Sequence, residues 1–199
     1  MKKILGLLLL LFYVNIQLSA QDDINFLDVI IGKSNFSTCD KILKSNFYDL
    51  NKIQNDTVLY NGIYECNDAS VMVVFDKDSI VQSTLVTIEK LKPVNSAEVY
   101  AYLIYTFYRE HKNFGYDSYS DSSDNVITTF MSAAGFVAFK LGFDQDYVYI
   151  SIHYSSGTPT EKNEDRQGYY SGFDYMPKDI ILKPFMILQM LKTYWIVES

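Results

Sequence analysis

The sequence predicts an α+β fold, an antiparallel sheet of about six strands with helices on one face. Three observations predict it. Residues 36–43 and 99–108 carry apolar side chains at helical spacing. Each stretch precedes three runs rich in β-branched and aromatic residues. The links between those runs are too short for parallel crossovers, so neighbouring strands must run in opposite directions. The chain thus reads as two helix-plus-three-strand units, at about residues 26–90 and 95–154.

The order begins with Lys2 and Lys3, an apolar block at residues 4–14, and Leu18-Ser19-Ala20 before Gln21. Charge, a short apolar block and a small residue at the cut are the marks of a secretory signal peptide. So short a block cannot cross a bilayer core of about 30 Å. Cleavage is expected between Ala20 and Gln21, leaving residues 21–199 as one secreted or periplasmic domain. Gln21 offers no thiol for a lipid anchor.

In the first unit, Phe36, Cys39, Ile42 and Leu43 define the inner face of a short helix. Ser34 is expected to accept from the first-turn amides. Asn46 is expected to take the left-handed position at the other end, with Phe47 folding back. Strands are predicted at residues 58–66, 71–75 and 80–89, with the polar turn Asp76-Lys77-Asp78-Ser79 before the last. In the second unit Pro93 and Val94 break the chain and Asn95 or Ser96 caps. Residues 97–113 then place Val99, Tyr100, Leu103, Ile104, Phe107 and Tyr108 on one stripe, and Gly115 stops the helix. A polar loop at 117–124 leads to strands at 125–131, 136–143 and 147–154. Beyond lies an extension, residues 155–199, whose apolar stretch 180–197 predicts a docked C-terminal helix with Pro184 in its first turn. Lys183 and Lys192 argue against stable membrane insertion of the mature chain.

Composition narrows the function. Apolar residues make up 48% and charged ones 21%, ordinary for a globular chain, and the net charge is −7. Loss of Lys2 and Lys3 makes the mature protein more acidic still. Such a chain repels phosphate backbones, so nucleic-acid binding is excluded as an expectation. Tyrosine is abundant, at 17 residues, and its ring suits half-wet sheet surfaces and binding faces alike. Cys39 and Cys66 would sit in an oxidising compartment and predict a disulfide, the alternative being two separate thiols. Closing that interval would stabilise the fold by about 3–4 kcal/mol on a chain-entropy argument.

Catalytic patterns are sparse. The two histidines, His111 and His153, cannot form a three-histidine zinc site, and neither stands in an H-E-x-x-H spacing. His111 falls in the last turn of the second helix, where its cation would complement the helix terminus. The acidic stretches 117–124 and 161–165 lack the EF-hand spacing. Glycines are scattered rather than grouped after a strand, and no G-x-S-x-G elbow occurs, so no cofactor is expected. Asp56-Thr57-Val58 and Asp78-Ser79-Ile80 resemble the acceptor pattern for O-linked glycans on exported proteins of some Gram-negative gut bacteria, with Thr57 and Ser79 as acceptors. On the last strand, Val148, Ile150 and Ile152 alternate with Tyr147, Tyr149, Ser151 and His153. The aliphatic side belongs under the helices. Tyr147, Tyr149 and His153 are therefore the candidate ligand-binding residues.

Gly32-Lys33-Ser34, the helix ending Ile42-Leu43-Lys44-Ser45-Asn46-Phe47, and Asn61-Gly62-Ile63-Tyr64 resemble small envelope proteins of Gram-negative bacteria. In those, a Lys-x-x-Gly-Phe type cap ends the helix, and this chain has Asn46 at the glycine position. The helix-plus-strands repeat, over about residues 26–154, is similar in outline to BamE-like and β-lactamase-inhibitor-like modules. That resemblance implies a fold and a protein-binding role without enzymatic activity, and assigns no binding residue. The sequence reading is accordingly an exported, non-enzymatic binding module for an envelope protein or glycan. The alternatives are a secreted hydrolase of a glycan or envelope substrate, with His153 or paired carboxylates as acid and base, and a structural envelope protein of no specific ligand. A shallow sheet face favours binding, whereas a deep pocket with carboxylates about 5–10 Å apart favours hydrolysis.

Overall fold

The computed structural model describes residues 23–144, 147–157 and 166–171. The expected cleavage site at Ala20 and Gln21 and the apolar stretch 180–197 lie outside the described residues. The chain order is β1 (Asn25–Phe26), β2 (Val29–Ile30), α1 (Phe36–Ser45), β3 (Asp49–Gln54), β4 (Thr57–Tyr64), β5 (Asn67–Phe75) and β6 (Val81–Leu91), then α2 (Pro93–Glu110), β7 (Gly115–Asp121), β8 (Val126–Ser132), β9 (Gly135–Phe143), β10 (Val148–Ser155) and β11 (Arg166–Ser171).

This architecture is mostly β, and it corrects the α+β expectation of six strands in two three-strand units. Nine strands form one sheet in the order β11-β7-β8-β9-β10-β6-β5-β4-β3, and β1 and β2 form a separate ribbon. Among the described residues the helices are α1 and α2 alone. Each helix precedes four strands rather than three. The additional strands are β3 and β7, and β11 pairs outside β7.

Both escaped the sequence pattern for physical reasons. All six residues of β3 are exposed at the sheet edge, and a bulge between Leu50 and Lys52 interrupts its alternation. No hydrophobic period survives there. β7 is polar in composition, yet Asp117, Ser118 and Tyr119 are buried between neighbouring strands. Ser118 Oγ lies 2.9 Å from Thr128 Oγ1, so polar pairing with β8 replaces the apolar face that a strand ordinarily shows.

The two four-strand meanders meet where β10 pairs with β6, with Ile152 opposite Val86 and Ser151 opposite Thr87. Both helices cover the same face of the sheet. Cys39 and Leu43 of α1 are fully buried, and the Tyr60 hydroxyl donates to Asp40 Oδ1 at 3.1 Å. α2 buries Tyr100, Leu103 and Ile104 over β9 and β10. The Tyr100 hydroxyl lies 3.1 Å from the carbonyls of Val126 and Phe139 and 3.2 Å from Thr128 Oγ1. Burial pushes that phenol far above its usual pKa, so it stays a neutral donor. Phe107 packs against Phe130 and Phe139, with ring centroids 4.9 and 5.5 Å away.

The helix ends also differ from expectation. Asn35, not Ser34, caps α1, its side chain accepting from Thr38 N at 2.9 Å. Ser34 Oγ instead accepts from Ile30 N. At the other end Tyr48 N donates to Leu43 O at 3.0 Å and Phe47 N to Lys44 O at 3.2 Å, the pairing of a Schellman motif. The left-handed residue is Phe47, with φ 63°, while Asn46 has φ −96°. Tyr48 folds back in its place. α2 starts directly at Pro93, whose missing N–H costs nothing in a first turn, and its C-cap is His111.

Tyr48 lies flat over Gly62, where an added Cβ would stand 2.5 Å from the ring, and its hydroxyl donates to Ile63 O at 3.0 Å. The ring is 1% exposed and has nowhere to move. Gly62→Ala is therefore expected to destabilise the protein by about 1–3 kcal/mol in urea unfolding. An unchanged midpoint would show that the ring is not seated there.

Candidate functional site

Register places two rows of side chains on the face away from the helices. One row runs Asn61, Ser70, Thr87, Ser151 and Lys140 across five strands. Beside it runs a more apolar row, Leu59, Met72, Leu85, His153 and Ala138. Period-2 alternation forces this arrangement, because Tyr60, Val71, Val86 and Ile152 are committed to the helix side.

The polar row ends in an open trough of about 920 Å³. Asn61, Ser70 and Thr87 line it, as do Phe47 and Ile63 from the β3–β4 side and Glu89, Lys90 and Leu91 from β6. Asp49 and Asp68 add carboxylates, and they and Glu89 are exposed. Phe47 is 89% exposed and Ile63 65%, the two most exposed large apolar side chains described. Lys90 has φ 59°, next to the shift in β10–β6 register between Val148 and Ile150.

The predicted binding residues separate into two groups. Tyr147 lies close enough to Glu89 and Tyr149 to feel both, though neither tyrosine lines the trough. The Tyr147 hydroxyl bonds to Asp144, which raises the phenol pKa, with smaller contributions from Glu89 and Tyr149. Tyr149 lies across Gly142 so closely that a Cβ there would enter the ring. His153 is four residues further along β10, about 13 Å at the rise of a strand. It belongs to the apolar row, edge-on to Phe136 at 5.2 Å. Phe47, Asn61, Asp68 and Glu89 carried no sequence signal as site residues. Only Phe47 left a trace, as the residue after an atypical helix cap.

A second, smaller cavity of about 180 Å³ lies on the helix side. The tips of two hairpins and the end of α2 enclose it, and Phe26, Leu27, Tyr64, Glu65, Phe107, Glu110, His111 and Tyr154 are among its walls.

The expected disulfide is not formed, and both cysteines are free. Cys39 is buried on α1 close enough to Tyr60 to affect its hydroxyl, whereas Cys66 is exposed past the end of β4. Tyr64, where β4 ends, is already about 13 Å along the strand from Tyr60. A bridge needs Cα atoms within about 7 Å. Burial, helped by Asp40, pushes the Cys39 thiol up to about 12. Of the possible glycosylation acceptors, Ser79 sits in the exposed Asp76–Ser79 turn, while Thr57 is half-buried at the start of β4. Among the described residues no group of His, Cys, Asp and Glu side chains is arranged to hold a metal ion.

Two outcomes are expected. A thiol reagent should label Cys66 in the native protein and Cys39 only after unfolding, and labelling of neither after unfolding would restore the disulfide. Burial also holds His153 and His111 below 6.5, with Glu110 opposing at His111. The unfolded chain then takes up protons first as pH falls, so stability present above about pH 6.5 declines below it. Denaturant midpoints measured against pH should lose part of that acid-side slope in His153→Gln, and an identical slope would refute the assignment.

No protein-family model matches this chain, and neither a curated protein nor a solved structure matches it.

Proposed function

We propose that this chain is an exported, non-enzymatic binding module whose helix-free sheet face takes a glycan of the cell envelope. One observation carries the reading: Phe47, a bulky residue held at φ 63° where glycine is favoured, projects 89% exposed at the wall of the trough. Strain of this kind persists where function retains it, at a cost of about 1–3 kcal/mol. The lining fits the ligand. The Asn61 amide and the Ser70 and Thr87 hydroxyls both donate and accept, as sugar hydroxyls do, and the three carboxylates accept further bonds. Aromatic rings at the margins supply apolar area with a polar handle. General acid catalysis, by contrast, needs a desolvated carboxyl, and the trough's carboxylates are exposed. Export rests on the leader-like residues 1–20.

The test is retention of the purified protein on protein-free glycan fractions of its own envelope. Asp68→Asn with Glu89→Gln is expected to lower retention about tenfold or more, because both side chains lose the charge that strengthens their hydrogen bonds. Phe47→Gly is expected to raise stability by about 1 kcal/mol while lowering retention, because it relieves the left-handed backbone and removes the ring. Unchanged retention in both variants, or capture of proteins alone, would sink the proposal.

A further inference from the structure

We propose that the cavity between the hairpin tips and the end of α2 binds a small organic ammonium ion, an amine with a compact apolar body. It is separate from the trough and does not depend on the glycan reading.

The walls supply the apolar part. Phe26 packs 5.3 Å from Tyr154 and 5.9 Å from Tyr64, and Phe107 closes the helix side. Faces of such rings attract cations, more strongly where water is excluded. A volume of about 180 Å³ suits one aromatic ring with a short substituent, since cavities near 150 Å³ admit benzene.

Two exposed carboxylates, Glu65 and Glu110, supply the charge at the mouth. They arrive from different elements, the β4–β5 turn and the last residue of α2. Both act on one phenol: burial raises the Tyr64 pKa, the hydrogen bond it shares with Tyr154 opposes, and Glu65 and Glu110 each raise it further. Their fields therefore converge. Among the described residues no lysine or arginine lines the cavity, and burial lowers the His111 pKa, favouring its neutral form. Arg109 lies 3.9 Å from Glu110 with both side chains about 60% exposed, a pair worth little. The hairpin tips are held tightly enough to keep Leu27 at φ 49° and Glu65 at φ 47°, left-handed values for non-glycine residues. An anion would meet both carboxylates, and a neutral ligand would leave them unused.

Benzylamine and benzyl alcohol, alike in size and unlike in charge, test this by NMR titration of the purified full chain. Benzylamine is expected to bind about tenfold more tightly, the contribution of two partly screened ion pairs, with shifts at Phe26, Tyr64 and Phe107. Glu65→Gln with Glu110→Gln, two surface changes, should erase the preference and leave binding of benzyl alcohol intact. A lysine tripeptide that displaces benzylamine, where its Nε-acetylated form does not, would assign the ammonium to a polypeptide side chain. Failure of the peptide to compete would assign it to a free amine. Equal binding of the two probes, a preference that survives the double variant, shifts confined elsewhere, or no binding would overturn the proposal.

Discussion

The antiparallel pairing of β10 with β6 is the constraint on which the rest of the molecule depends. It joins two meanders, each led by a helix, into one sheet, and it fixes their relative register at Ser151 opposite Thr87. A slip of one residue would turn one half over relative to the other, leaving α1 and α2 on opposite faces and breaking the continuous buried row. With the observed register, one row of buried side chains runs from Tyr60 through Val71, Val86 and Ile152 to Phe139. The polar and apolar rows of the opposite face align by the same pairing. Neither meander alone would make that surface.

Once the helices occupy one face, the ends of the elements decide where chemistry can sit. α1 ends in a Schellman motif with Phe47 at its left-handed position, which turns Tyr48 inward onto Gly62 and Phe47 outward. The β4–β5 turn then places Glu65 on the helix side and Cys66 among the trough residues. Two sites of different character thus flank one hairpin. The trough is broad, polar and open. The helix-side cavity is small and aromatic, with carboxylates at its mouth.

Much of the fold was legible where a stretch is long and one of its faces buried. Val99, Tyr100, Leu103 and Ile104 announced α2, and Val148, Ile150 and Ile152 announced the inner side of β10. Legibility failed where burial is two-sided or lacking. β3 is exposed throughout and went unread, whereas β8 was read as a strand but, buried at five consecutive residues from Val126 to Phe130, showed no alternation to tell its two faces apart. The Asp117 to Asp124 region read as a loop because it is polar, although its first five residues belong to β7 and Ser118 pairs with Thr128 on the neighbouring strand. Alternation along β10 put Tyr149 on the face away from the helices, while Asn61, Asp68 and Glu89 became neighbours only through cross-strand pairing.

The sequence by itself determined the helical stripes, the hairpin sequence of the central strands and the acidic charge. Each is a local property, written in spacing or composition over a few residues. Tertiary structure alone decided the number of strands, the union of the meanders and the separation of Cys39 from Cys66. Those depend on cross-strand register and on how the helices seat on the sheet, which bring residues distant in sequence together or hold them apart.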